Sequence, residues 1–341
     1  MDKFRIDGEK MSFHPARVAH LMEGKDDWEK SKNIFPLYIE VSPMGACNHR
    51  CLMCSVDFIG YKTIHLEHEL YAERVAEMGR LGIKAIMLAG EGEPLLHKKI
   101  NLMVSDTLNA NIDVAFTTNG VLLDKLNLEG VSWVKVSINA GTKETYERVH
   151  QTAGKDWDRV WSNLRDAVKR RGNCTIGVQM VLLPENEHEV DDIRQMGESI
   201  GLDYVVIKPH SQHKYSIVRK YENYQPVIPQ AADKMIVREA AFNTKSIPYD
   251  KCLATPFTWA YWMASGDLYS CSAYLLDDRF NLGNLNTHSF KDIWQGEKRR
   301  QNWEYVREHL NIQECRVNCR QDKVNRYLTQ LVEGIPHQNF I

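Results

Sequence analysis

The chain has 341 residues, 43% of them hydrophobic, enough for one large α/β domain with a small appendage or for two ordinary domains. Lys and Arg number 43 against 45 Asp and Glu, a balance that gives no electrostatic case for nucleic acid or an anionic membrane as partner. The N-terminus has no apolar signal region and no stretch reaches the ~18 apolar residues that span a bilayer, so the expected setting is cytoplasmic, where cysteines serve as metal ligands or redox groups rather than disulfides.

Residues 1–36 are polar, lack a persistent period and read as a leading segment. From Leu37 the pattern changes. Apolar runs suited to buried parallel strands recur at Leu37–Val41, Ala85–Ala89, Asp113–Thr117, Trp133–Ile138, Thr175–Leu183 and Tyr204–Lys208. Amphipathic stretches lie between them, at Glu67–Leu81, Leu95–Leu108, Lys143–His150, Trp157–Arg170 and Glu189–Ile200. This β-α alternation predicts a parallel sheet with helical crossovers over residues 37–230, either an open doubly wound sheet or an incomplete barrel. Residues 211–248 form a polar connector rich in tyrosine and proline, with 231–250 as its linker. The remainder, 251–341, has its own cysteines, hairpin signals and a closing helix at Asp322–Leu331.

The cysteines fall into groups: Cys47, Cys51 and Cys54; Cys252, Cys271, Cys315 and Cys319; and Cys174 alone. The first three stand at C-x3-C-x2-C spacing in one short loop after the first predicted strand. A cubane iron–sulfur cluster takes a ligand on each iron, so three thiolates leave one iron open to a substrate or cofactor. Here the sequence resembles the radical S-adenosylmethionine (SAM) enzymes, with Met53 at the position before the third cysteine.

That resemblance implies an α/β fold of the partial (β/α)6 TIM-like barrel type, with active groups at the C-terminal strand ends. It implies that SAM chelates the open iron of a [4Fe-4S] cluster and that reductive cleavage yields a 5′-deoxyadenosyl radical, which abstracts hydrogen from substrate. Ala89-Gly90-Glu91-Gly92-Glu93-Pro94 resembles the family's GGEP element, with Glu91 replacing the first glycine of the pair. Gly92, Glu93 and Pro94 are thereby expected to bind the SAM amino group. Thr118 and Asn119 at the third strand end, Ser137 at the fourth and Gln179 on the fifth are the further SAM candidates. Alone, such Thr-Asn-Gly and Asn-Ala-Gly strings are ordinary turn chemistry.

Cys252 and Cys271, with thirteen residues between the first and Gly266 and four between Gly266 and the second, resemble the SPASM and twitch extensions of the superfamily. Gly283-Asn284-Leu285 and Phe290-Lys291-Asp292-Ile293-Trp294 strengthen that match. Cys315 and Cys319 would complete the ligands of one auxiliary [4Fe-4S] cluster, the twitch type. A structural tetrathiolate zinc site is the alternative. Cys174 reads as a small buried hydrophobe. Lys208, His210 and His213, where the sixth strand ends, are the catalytic candidates, as substrate-binding groups or proton acceptors, unless they belong to a solvated loop.

An auxiliary cluster suits a net oxidation, so the expected activity is dehydrogenation of a small polyol, aminocyclitol or sugar derivative, with a flavodoxin or ferredoxin-type electron donor. The alternative is maturation of a ribosomal peptide by crosslinking or epimerisation. Against it, about 35 residues precede the first strand, short for a leader-recognition domain. A non-catalytic electron carrier would leave the open iron and the Gly-Glu-Pro element unexplained.

Overall fold

The computed structural model describes residues 10–211, 213–221, 223–238, 247–255, 257–315 and 319–340. Its strands β1 (Tyr38–Val41), β2 (Ala85–Leu88), β3 (Asp113–Thr118), β4 (Val131–Ser137), β5 (Thr175–Leu182) and β6 (Tyr204–Pro209) pair in sequence, all parallel. Each falls on an expected apolar run. With the helices between them they form the partial (β/α)6 barrel, joined to a C-terminal unit that carries the second cysteine set.

Two pairings were not foreseen. Met235–Val237, inside the stretch read as a connector, forms β7 parallel to β6. At the opposite edge, β8 (Trp259–Trp262) pairs parallel with β1, register Tyr38 to Trp259 through Val41 to Trp262. Antiparallel β9 (Asp267–Tyr269) and β10 (Asn281–Asn284) follow, so one sheet runs β10-β9-β8-β1-β2-β3-β4-β5-β6-β7 among the described residues.

Strand alternation separates the two faces of this sheet. Ile39, Val41, Ile86, Leu88, Val114, Phe116, Val134, Val136, Ile176, Val178, Val205 and Ile207 all enter one buried core. That core is closed by α3 (His68–Arg80), α4 (Ile100–Asn109), α5 (Lys143–His150), α6 (Lys155–Arg170) and α7 (Val190–Ile200). The alternate residues line the concave face: Tyr38, Glu40, Thr117, Trp133, Lys135, Ser137, Gly177, Gln179, Tyr204, Val206 and Lys208. Cys174 is 3% exposed in the helix-side core, as a small hydrophobe would be.

Helix starts follow local chemistry. Thr142 caps α5 by accepting from the Thr145 N–H, and the Glu189 carboxylate locks the preceding turn through Gly141 N, Thr142 Oγ1 and Thr145 Oγ1 at 2.7, 2.8 and 2.6 Å. The helix expected from Leu95 begins instead at Ile100, after a separate 3-10 turn at Pro94–Leu96. His97 causes the break: its backbone is extended, its ring accepts from Lys99 N, and its Nε2 bonds the Leu66 carbonyl.

The C-terminal helices α8 (Phe290–Gln295), α9 (Glu297–Glu308) and α10 (Asp322–Glu333) pack onto the same body. Glu77 of α3 accepts from the backbone N–H groups of Phe290 and Lys291, both at 2.9 Å, placing a carboxylate on the N-terminal end of α8. Among the described residues no helix is long and apolar enough to cross a membrane.

Candidate active site

The cysteine loop leaves the C-terminal end of β1 and is held by its neighbours on all sides. Gly92 is pressed against it: a Cβ there would stand 2.3 Å from the Ala46 carbonyl oxygen and 2.4 Å from that of Met44. Glu93 N–H donates to Ala46 O at 2.9 Å. Asn119 Nδ2 donates to Asn48 Oδ1 at 2.7 Å, joining the β3 end to the middle of the cysteine motif. Glycine at 92 therefore serves close backbone packing between two loops.

Glu93 is 2% exposed and accepts from Thr118 Oγ1 at 2.5 Å, Asn119 N at 2.7 Å and Leu95 N at 3.1 Å. Burial nevertheless pushes its carboxyl up to about 7, with those donors opposing the shift. Ser137 and Gln179 meet across β4 and β5, the Gln179 amide donating to Ser137 Oγ at 2.7 Å. The Gln179 Oε1 atom is buried with no hydrogen-bond partner among the described residues, an acceptor left for a ligand. Gly92, Glu93, Thr118 and Asn119 are thus gathered at the cysteine loop, while Ser137 and Gln179 pair with each other on the next two strands. Met53 is 8% exposed and packs with Val149, Leu183 and Tyr221 instead of standing free.

The thiols fit clusters by their chemistry. Burial pushes Cys47 up to about 12, with Glu93 and Cys54 adding to it, and raises Cys51 well above the ordinary thiol range, with Cys54 and Cys47 adding. Buried this way the thiols stay protonated, and thiolates form here only where a metal cation compensates their charge. Burial likewise raises Cys271, Cys319 and Cys315, each further raised by others of that quartet. Donors already point at sulfur: His49 N at Cys47, Thr255 N and Asn325 Nδ2 at Cys252, and Gln321 N at Cys319, at 3.4–3.5 Å.

A zinc ion with Zn–S near 2.3 Å would draw its sulfurs to about 3.8 Å of one another. Among the described residues the only trio of ligand atoms within 4.8 Å is His49, Cys51 and His150, so the quartet is spread more widely than one zinc requires. That trio was not anticipated. His150 Nδ1 lies 3.2 Å from Cys51 Sγ while its Nε2 bonds Ile138 O at 2.8 Å, and Tyr146 stacks on its ring. His49 Nε2 bonds Asp156. The second histidine of the trio sits at the end of a helix far along the chain, where no spacing rule reaches.

Residues 41–197 match the family model of the Radical SAM superfamily, and residues 252–320 match that of an iron–sulfur cluster-binding domain. The chain thus carries a Radical SAM domain followed by an iron–sulfur cluster-binding domain. Its cofactors are accordingly SAM, a SAM-binding cluster and auxiliary iron–sulfur chemistry at the C-terminal end. Among curated proteins it is 29% identical over 169 residues to the GTP 3′,8-cyclase of Microcystis aeruginosa, covering 46% of this chain and 51% of that protein. It is 25% identical over 218 residues to the probable GTP 3′,8-cyclase of Sulfurisphaera tokodaii, covering 61% and 68%. The match spans about half the length of the first relative. Among solved structures it resembles Streptococcus suis SuiB bound to precursor peptide SuiA, with TM-score 0.64 at 14% identity over 95% of this chain and 78% of that one. Native anSMEcpe with bound AdoMet gives TM-score 0.57 at 14% identity, over 88% and 100%. At such identities the likeness is one of fold.

The catalytic candidates separate in the structure. Lys208 lies on the concave face at the end of β6, and His210 follows it, edge-on to Tyr221 at 5.3 Å. His213 is fully buried, stacked on Phe58 at 4.3 Å, with its Nδ1 accepting from Tyr215 N. Glu40, on the same face, is 2% exposed and held by Arg320 and the Tyr38 hydroxyl. Neither Glu40 nor Lys135 of β4 was singled out in the sequence.

Proposed function

We propose that this protein is a radical SAM oxidoreductase that removes two hydrogens from a small polyol, aminocyclitol or sugar derivative. In this reading Cys47, Cys51 and Cys54 hold the SAM-binding [4Fe-4S] cluster, and Cys252, Cys271, Cys315 and Cys319 hold one auxiliary [4Fe-4S] cluster. Gly92, Glu93 and Pro94 receive the SAM amino group, Thr118, Asn119 and Ser137 its ribose and carboxylate, Gln179 its adenine, and Met53 backs the site. Bound cofactors supply a hydrogen-abstracting 5′-deoxyadenosyl radical and an electron sink.

The observation that carries the reading is the pairing of an incomplete thiol set with a complete one on a shared apolar lining. Val56, Phe58 and Ile59, just after Cys54, pack in one cluster with Cys252, Cys271, Cys315, Trp259 and Tyr261. An electron acceptor beside the concave face favours oxidation over redox-neutral rearrangement. Lys208 and His210, at the β6 end, are positioned to take the hydroxyl proton as the substrate carbon is oxidised, with His213 bracing that end against Phe58. The relatives named GTP 3′,8-cyclase act, by their names, on a small molecule, which supports a small substrate here.

Cys271→Ala with Cys319→Ala tests the assignment. The double variant should lose about four irons per chain, still cleave SAM on reduction, and give no oxidised product. Unchanged product formation would refute the electron-sink role.

A further inference from the structure

Lys135 stands in the middle of β4 on the concave face, while Val134 and Val136 point into the helix-covered core. Its neighbours across the sheet on that face are Thr117 of β3 and Gly177 of β5. Gly177 contributes no side chain, and the Tyr204 ring lies so close over it that a Cβ would stand 2.4 Å from Cε2. The ammonium sits 5.5 Å from the Trp133 ring centroid, and among the described residues no carboxylate pairs with it. Burial alone pushes it down to about 8.

A half-buried ammonium without a counter-ion costs stability, and only the face of the Trp133 ring offsets part of that cost. Its position supplies a reason. Ser137 lies two residues further along the same face, about 7 Å along the strand, where the SAM ribose or carboxylate is proposed to rest. The buried acid of the face, Glu40, is already taken by Arg320 and Tyr38.

We infer that Lys135 receives an anionic group of the substrate, a phosphate or a carboxylate. Resting on the function proposed above, this makes the hydroxylated substrate a sugar phosphate, nucleotide sugar or sugar acid and not a neutral polyol. Lys135 anchors the anion, and the carbon to be oxidised is thereby held toward the SAM end of β4.

The test uses reconstituted, SAM-loaded protein with Lys135→Met and Lys135→Arg. Calorimetry with inorganic pyrophosphate reads the anion site without turnover. Glucose 6-phosphate, glucuronate, glucose and myo-inositol are then compared for their effect on 5′-deoxyadenosine formation. Pyrophosphate should bind the parent protein about tenfold or more tightly than Lys135→Met, with Lys135→Arg restoring binding and SAM affinity equal in all three, which also shows that the variants fold. The phosphate and glucuronate arms tell the two anion sources apart. Pyrophosphate binding that ignores Lys135, or is absent, overturns the inference, as does a loss of SAM affinity in Lys135→Met. Lys135-dependent pyrophosphate binding with no sugar raising 5′-deoxyadenosine would sink the proposed function and leave the anion site standing. Turnover of a neutral polyol with pyrophosphate indifferent to Lys135 would do the reverse.

Discussion

The Glu91 carboxylate accepts a hydrogen bond from the backbone N–H of Ala264 at 2.8 Å, across 173 residues of chain. It ties the turn after β2, which carries Gly92 and Glu93, to the start of the β8–β9 hairpin. The side chain is 4% exposed, and burial raises its carboxyl above the usual range against hydrogen bonds from Ala264 and Ser42. The Glu91 carboxylate thus fastens this turn to the residues that follow β8.

Glu91→Ala should leave the Ala264 amide buried without an acceptor, at a cost of about 1–3 kcal/mol. Hydrogen exchange followed by mass spectrometry should show the 259–269 hairpin opening faster, while Glu91→Gln, which keeps an acceptor, stays close to the parent. Equal protection in all three would mean that the bond contributes nothing.

Glu93 is proposed to face the cofactor. Its oxygens organise Thr118, Asn119 and Leu95, so Glu93→Ala should weaken SAM binding by about tenfold or more, as expected for charge-assisted bonds lost together. Anaerobic equilibrium dialysis of the reconstituted protein checks this, with iron content confirming that the cysteine loop survives. Unaltered affinity would remove Glu93 from the SAM site.

Lys135 ties stability to pH. Its ammonium is held at about 8 in the folded chain against the ordinary lysine value of 10.5, so between these the unfolded chain binds more protons. The penalty is complete below about pH 8 and disappears as pH rises toward the unfolded value. Lys135→Met should therefore be the more stable protein near neutral pH, by on the order of 1–3 kcal/mol, with the gap closing by about pH 10. Urea unfolding of both proteins across that range measures it, and cysteine titration cancels in the comparison. A constant gap would mean that Lys135 is not desolvated.

The sequence made the β-α repeat legible because each strand is a short apolar run and amphipathic stretches lie between the runs, and Lys143–His150 forms its helix at the expected bounds. Beyond that, the limits are physical. β7 has only three residues, too few for a period, and its parallel bond to β6 is a tertiary choice. Trp259–Trp262 reads as a strand, but no local pattern announces β1 as its partner. The cysteine spacings exposed both thiol sets, whereas the His150 contact with Cys51 depends on helix placement. Lys135 escaped notice because a lysine between valines in a strand reads as solvent-facing, and only barrel curvature turns that face inward.

The most direct measurement is anaerobic. The reconstituted protein is reduced, given SAM and a set of sugar phosphates, nucleotide sugars, sugar acids and polyols, and followed for 5′-deoxyadenosine and substrate mass together. The account predicts a substrate-dependent rise in 5′-deoxyadenosine matched by a product lighter by the mass of H2. A matched product of unchanged mass, or turnover only with a precursor peptide, would contradict it.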